Sequence, residues 1–170
     1  ALFSTVIGAE SKRSKVPQSM QTIYANLFRA TAWQESCWRQ YVKSKGEIMP
    51  IRSSAGSIGI MQINQYVWRG IYDVAALGND VAYNARAGSE ILVHYLVDYA
   101  IRKEEHKLTG SDDNLARAAY AVYNGGPSHL RRYRTPETKK NLRAIDDSFW
   151  RKYQAMKARG PSVVRQCYGE

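Results

Sequence analysis

The sequence predicts an all-α fold built as a single domain, and three observations carry that reading. Apolar or small residues recur at helical spacing in four stretches, and helix-capping or helix-stopping residues stand at their ends. No stretch of convincing length alternates apolar and polar residues as a half-buried strand does. There is no internal repeat, and 170 residues suffice for one buried core.

Residues 1–16 show no clear period and turn polar and basic from Ser11 to Lys15, so they read as a lead-in to a domain spanning residues 17–170. Pro17 and Ser19 open the first helix, with Ser19 as its N-cap. Met20, Ile23, Tyr24, Leu27, Phe28 and Thr31 form its inward stripe, and one further turn carries Glu35 and Trp38 onto the same face. A glutamate there, flanked by Trp33 and Trp38, is costly to ionise, which raises its pKa towards the range of a general acid. The alternative is a helix that stops earlier and leaves Glu35 in solvent. The polar run from Lys43 to Glu47 ends the helix near Val42.

Residues 46–59 read as a loop, because Gly46, Pro50, Ser53, Ser54, Gly56, Ser57 and Gly59 crowd into it. Gly56 and Gly59 do not make a phosphate loop, since no Gly-Lys-Ser/Thr follows. Ser57 is not a nucleophile elbow, since Ala55 stands where glycine is needed. Ile60 to Trp68 reads as a short helix carrying Met61 and Gln62, and Asp73 to Leu77 as a turn. Asp80 caps a long helix with Val81, Asn84, Ala85, Gly88, Ile91, Leu92, Tyr95, Leu96 and Tyr99 inward. Gly88 on that stripe suggests a close helix–helix contact.

Thr109 to Asn114 is a polar link. Asp112 or Asp113 then caps a helix with Leu115, Ala118, Ala119 and Val122 inward, and Asn124, Gly125, Gly126 and Pro127 stop it. Thr135 and Pro136 start the last helix, on which Leu142, Ile145, Phe149, Tyr153 and Met156 form the stripe, and Pro161 closes it.

Composition narrows the function classes. No apolar run reaches the roughly 18 residues of a membrane span. Ala1 to Gly8 is mildly apolar but has neither the basic leader nor the length of a signal peptide. The 25 Lys and Arg against 15 Asp and Glu leave a net charge of +10, which suits an anionic partner: nucleic acid, a lipid surface or an acidic wall polymer. No helix-turn-helix, zinc or RNA-binding signature supports the first of these. His94, His106 and His129 share no metal-ligand spacing, and His94 with Asp98 reads as a surface contact. Cys37 and Cys167 are too far apart for a CxxC motif. One disulfide tying the end of the chain to the Glu35 helix is the preferred reading and places the protein in an oxidising compartment; two unrelated thiols are the alternative.

Three short motifs occur in order: Glu35-Ser36, then Gly59-Ile60-Met61-Gln62, then Ala121-Val122-Tyr123-Asn124-Gly125-Gly126-Pro127. Together they resemble the soluble lytic transglycosylase family, whose pattern is Glu-Ser, Gly-Leu-Met-Gln and Ala-Tyr-Asn-Ala/Gly-Gly-Pro. The similarity runs over roughly Gln18 to Leu142 and includes Asn84 and Gly88. It implies a lysozyme-like α-fold acting on bacterial peptidoglycan in the periplasm or cell envelope, as a monomer, with no metal or cofactor and no nucleic-acid partner. By the same resemblance Glu35 is the catalytic acid and base, and Ser53 lies near the reacting sugar. Met61 and Gln62 line the groove, and Tyr123 and Asn124 steady the catalytic carboxyl and the substrate. Glu137 of the Glu-Thr signature lies in the cleft. Met61 as core, Asn124 as a plain cap and Glu137 as a helix-dipole charge are the alternatives.

Two departures from the family pattern stand out. The long span between Glu35 and Gln62 makes Trp38 to Ile51 an extra loop at the cleft, and Asn141 replaces an aromatic residue. The implied reaction is non-hydrolytic cleavage between N-acetylmuramic acid and N-acetylglucosamine, leaving a 1,6-anhydro end. The alternatives are a hydrolase like the goose-type lysozymes and a wall-binding protein without turnover.

Overall fold

The computed structural model describes residues 1–14 and 16–169, so Lys15 of the first basic run lies outside the described residues. Among the described residues there are seven α-helices: α1 (Leu2–Arg13), α2 (Gln21–Ser36), α3 (Val74–Asn79), α4 (Val81–His94), α5 (Glu105–Thr109), α6 (Asn114–Gly125) and α7 (Lys140–Arg159). Two small antiparallel hairpins interrupt them, β1 (Tyr41–Ser44) with β2 (Glu47–Pro50) and β3 (Ser57–Ile58) with β4 (Ile63–Asn64). The fold is all-α in class, with the hairpins as its small β element. Among the described residues no helix is long and apolar enough to cross a membrane.

The main core lies where α2, α4 and α6 meet. Tyr24, Leu27 and Phe28 of α2, Leu92 of α4 and Leu115, Ala118 and Ala119 of α6 are all fully buried. Small residues run along α6, which lets it lie deep among its neighbours. Asp80 caps α4 as expected, its carboxylate accepting from the backbone N–H groups of Ala82 and Tyr83. From Tyr95 to Ile101 this helix loosens into a π-helical turn, and Tyr95 at its start reaches the cavity described below. His94 and Asp98 meet at 2.7 Å on the exposed surface.

Residues 2–13 are not an irregular lead-in. Val6, Ile7, Glu10 and Ser11 of α1 are buried at helical spacing, and Phe3 meets Phe28 and Trp38 edge-on at 5.0 and 4.8 Å. The pattern is masked because polar residues complete the inward face: Glu10 is bridged by Arg13 at 2.9 Å.

The first helix is also shorter than expected. Gln18–Met20 form one 3₁₀ turn without a side-chain cap, and α2 stops at Ser36, where Cys37 and Trp38 take left-handed conformations. The long span that follows is the β1–β2 hairpin, exposed on both faces except at Pro50. Asp73 caps a helix, α3, rather than a turn. Asp113 precedes α6, yet its carboxylate serves the far end of α7, accepting from the Tyr153 hydroxyl at 2.8 Å and the Lys157 ammonium at 2.5 Å.

The last helix begins at Lys140, not at Pro136. The Thr138 hydroxyl donates to the Arg132 carbonyl, and the Arg143 guanidinium donates to the carbonyls of Thr135 and Pro136. Those bonds hold residues 135–139 outside the helix. Beyond Gly160 a 3₁₀ segment, Pro161–Tyr168, returns to the end of α2, where Cys37 and Cys167 form a disulfide. Trp33, Met156, Val163 and Val164 make a second small core beneath it.

Candidate active site

The three sequence motifs meet at one turn. Gly59, Ile60 and Met61 cannot form a regular helix, because side chains from elsewhere take up their peptide groups. The Ser36 hydroxyl donates to the Ile60 carbonyl at 2.7 Å, and the Tyr123 hydroxyl donates to the Met61 carbonyl at 2.5 Å. Gln40 accepts from the Ile60 N–H, and Asn84 accepts from the Met61 N–H. Both amides are buried and donate onward, Gln40 to the carbonyls of Leu77 and Gly78 and Asn84 to those of Ile58 and Leu77. The turn is thus sewn to α2, α4 and α6, with every buried donor answered.

Two glycines are required by this arrangement. A Cβ on Gly59, at φ +75°, would come within 2.3 Å of the Asn84 amide, and one on Gly88 within 2.5 Å of the Met61 side chain. Gly88 therefore gives room to Met61 rather than to a neighbouring helix. The segment expected as a helix over residues 60–68 is this turn followed by β4. Asn64 then closes the next turn by accepting from the N–H groups of Tyr66 and Val67.

Between this turn and the end of α6 lies a cavity of about 470 Å³. Glu35, Ser53, Gln62, Tyr123 and Asn124 line it, together with Val67, Trp68 and Tyr95. Five of the seven expected site residues therefore converge. Met61 does not line the groove: its side chain is fully buried in the core, and its N–H and carbonyl are taken up by Asn84 and Tyr123. Glu137 is exposed on a neighbouring depression with His129, Arg131 and Lys139, outside the cavity that holds Glu35. Ser53 accepts from the Ser57 N–H at 3.0 Å, and Gln62, held left-handed at φ +48°, donates to the Gly59 carbonyl at 2.9 Å.

Glu35 sits at the inner wall of the cavity, one residue before the end of α2. Burial pushes its carboxyl up to about 7, against the opposing pull of one hydrogen bond from Tyr120 and the positive charge of Lys152. The tryptophans expected to dry it are engaged elsewhere. Trp33 lies two residues away, on the opposite side of the helix, and belongs to the second core, while Trp38 packs on Phe3.

The residue that touches the carboxyl is Tyr120, not Tyr123. Its hydroxyl donates to Glu35 Oε1 at 2.9 Å, and its ring stacks on Phe149 at 4.0 Å. Tyr123, one turn further along α6, holds the Met61 carbonyl instead. Sequence reasoning missed Tyr120 because it lies just before the recognisable motif. The available signal was the spacing of three from Tyr123, which puts both rings on the α2 side of α6.

Glu35 is the only acid lining the cavity among the described residues. A carboxyl that stays protonated near neutral pH can give its proton to a leaving oxygen and then take another back. The family model of the transglycosylase SLT domain matches residues 13–145, a span that includes all three motifs, Tyr120 and Glu137. No curated protein and no solved structure matches the chain. The chain belongs to the transglycosylase SLT domain family, which in general terms makes it a lytic transglycosylase acting on peptidoglycan.

Proposed function

We propose that the chain cleaves the β-1,4 bond between N-acetylmuramic acid and N-acetylglucosamine without water, leaving 1,6-anhydro-muramic ends. The supporting observation is that, among the described residues, Glu35 stands alone in the cavity as an acid. Most glycosidases use two carboxylates, one as acid and one as nucleophile or as activator of water. Protonated Glu35 donates to the bridging oxygen as the C1–O bond breaks, and the N-acetylglucosamine side leaves as an alcohol. The substrate's own 2-acetamido oxygen shields the positive C1. Glu35, now ionised, removes the proton of the C6 hydroxyl, whose oxygen bonds to C1 and closes the ring. The carboxyl ends protonated as it began, so no second acid is consumed or required.

Ser53, Gln62, Tyr123 and Asn124 are assigned to holding the glycan, and Glu137 to a more distant contact outside the cavity. The net charge of +10 favours a wall polymer whose peptide stems carry carboxylates. The Cys37–Cys167 disulfide favours an oxidising location such as the bacterial periplasm. The protein acts as a monomer.

The test is a digest of purified peptidoglycan read by mass. Wild-type products are expected to be lighter by one water than reducing-end fragments, and Glu35→Gln is expected to yield none while keeping its fold. Reducing ends would make the chain a lysozyme-type hydrolase, and wild-type turnover by Glu35→Gln would remove the assignment of Glu35.

A further inference from the structure

Among the described residues, Asn124 is the one cavity residue whose side chain is held from behind by a buried ion pair. The Arg132 guanidinium lies in a fork with Asp146, Nε to Oδ2 at 2.9 Å and Nη2 to Oδ1 at 2.6 Å. Both side chains are almost fully buried, at 3% and 4% exposure. The remaining nitrogen, Nη1, donates to Asn124 Oδ1 at 3.1 Å. The same nitrogen would lie 2.8 Å from a Cβ on Gly125, so the guanidinium occupies the space this glycine leaves open. The Thr138 hydroxyl fixes the Arg132 backbone from the other side, donating to its carbonyl at 2.6 Å.

This geometry decides which end of the carboxamide meets the substrate. A guanidinium has only donors, so the Asn124 atom facing it is the oxygen. The Nδ2 group makes no hydrogen bond to the described residues, while Asn124 itself is exposed on the cavity wall. We propose that Arg132, clamped by Asp146, is a positioning residue that presents Asn124 to the glycan as a fixed donor. The group it reads is then an acceptor oxygen on the sugar, a hydroxyl or an acetamido carbonyl. An asparagine free to flip offers donor and acceptor faces alike, whereas this one discriminates. Thr138 is a second positioning residue, acting through the Arg132 backbone.

The assignment rests on the glycan-binding reading of the cavity, and the experiment separates the two. Glu35→Gln is used as the parent, so that a soluble oligomer of alternating N-acetylglucosamine and N-acetylmuramic acid stays intact during a calorimetric titration. Asn124→Ala is expected to weaken binding roughly tenfold, the upper range for one neutral hydrogen bond. Arg132→Lys, which cannot bridge Asp146 and Asn124 together, should weaken it to a similar extent, and the two changes combined should do no more than either alone. Asn124→Asp should also lose affinity although it strengthens the contact with Arg132, a result that a purely structural role does not give.

Thr138→Val, which leaves the ion pair intact, should weaken binding a few-fold and have no effect once Asn124 is alanine. It carries the test if Arg132→Lys fails to fold. Unchanged affinity in Arg132→Lys, or in Thr138→Val where that variant stands in for it, overturns the positioning role, as do losses that add to that of Asn124→Ala. A parent that binds no oligomer overturns the functional reading, and this assignment with it.

Discussion

Glu35 on α2 and Asp146 on α7 are both acids taken out of water near Tyr120, close enough that both charges act on its hydroxyl. Their company differs. Asp146 receives two charged donors from Arg132, in the planar fork that suits a carboxylate best. Glu35 receives one neutral donor, the Tyr120 hydroxyl, and a more distant cation in Lys152. Burial alone therefore does not mark a reactive acid. An acid forked by a buried guanidinium has both oxygens taken up by that partner, and an acid buried with a single neutral donor keeps a proton it can trade.

The hardest blow to this contrast falls on the paired acid. Asp146→Ala leaves the Arg132 guanidinium buried without its partner, and loss of one member of a buried pair costs roughly 3–5 kcal/mol. Denaturant unfolding should show a loss of that size. A loss under about 1 kcal/mol, the level of a surface pair, would mean that Asp146 and Arg132 are wetter than the structure has them.

The reactive acid should behave in the opposite sense. Its carboxyl is raised from an ordinary value to about 7, so the folded protein holds a proton that the unfolded chain has already lost. Folding stability from this group is fully present below about 4.5 and is lost as pH rises through about 7. Glu35→Gln, which cannot ionise, should match wild type near pH 4. It should be more stable by up to about 3 kcal/mol at pH 8. Melting curves of both proteins across that range measure it, and a gap that does not widen with pH would place Glu35 among ordinary ionised surface acids.

What the sequence reveals follows the same divide between apolar and polar means of holding structure. The inward faces of α2, α4 and α6 are apolar or small at helical spacing, and the Asp80 cap is local, so these elements are readable from residue type alone. The Cys37–Cys167 pair is readable too, since only one pairing exists. Elements held by polar side chains are not. α1 hides behind buried Glu10 and Ser11, and the turn at Gly59 is fixed by Ser36, Gln40, Asn84 and Tyr123 from three other segments. The β1–β2 hairpin is exposed on both faces and has no alternation to detect. At the site, the motifs identify Glu35, but the partner of its carboxyl depends on which of two tyrosines on α6 points where. That is settled by packing on Phe149 and not by spacing.

The choice between those tyrosines also gives the smallest and sharpest effect. The Tyr120 hydroxyl donates to Glu35 and thereby favours its ionised form, holding the carboxyl below the value that burial alone would set. Tyr120→Phe removes that donor and nothing else of comparable size. The high-pH limb of the cleavage rate, where Glu35 loses the proton it must donate, should therefore move further up in pH. The rate below pH 6 should fall only several-fold, as the carboxyl loses one aligning bond worth about 1 kcal/mol. Tyr123→Phe supplies the contrast, since its hydroxyl holds the Met61 carbonyl, and its loss should slow cleavage while leaving the limb in place. If the limb moves for Tyr123→Phe and not for Tyr120→Phe, the roles of the two rings are exchanged. The proton of Glu35 is then tuned from the turn rather than from the core of α6.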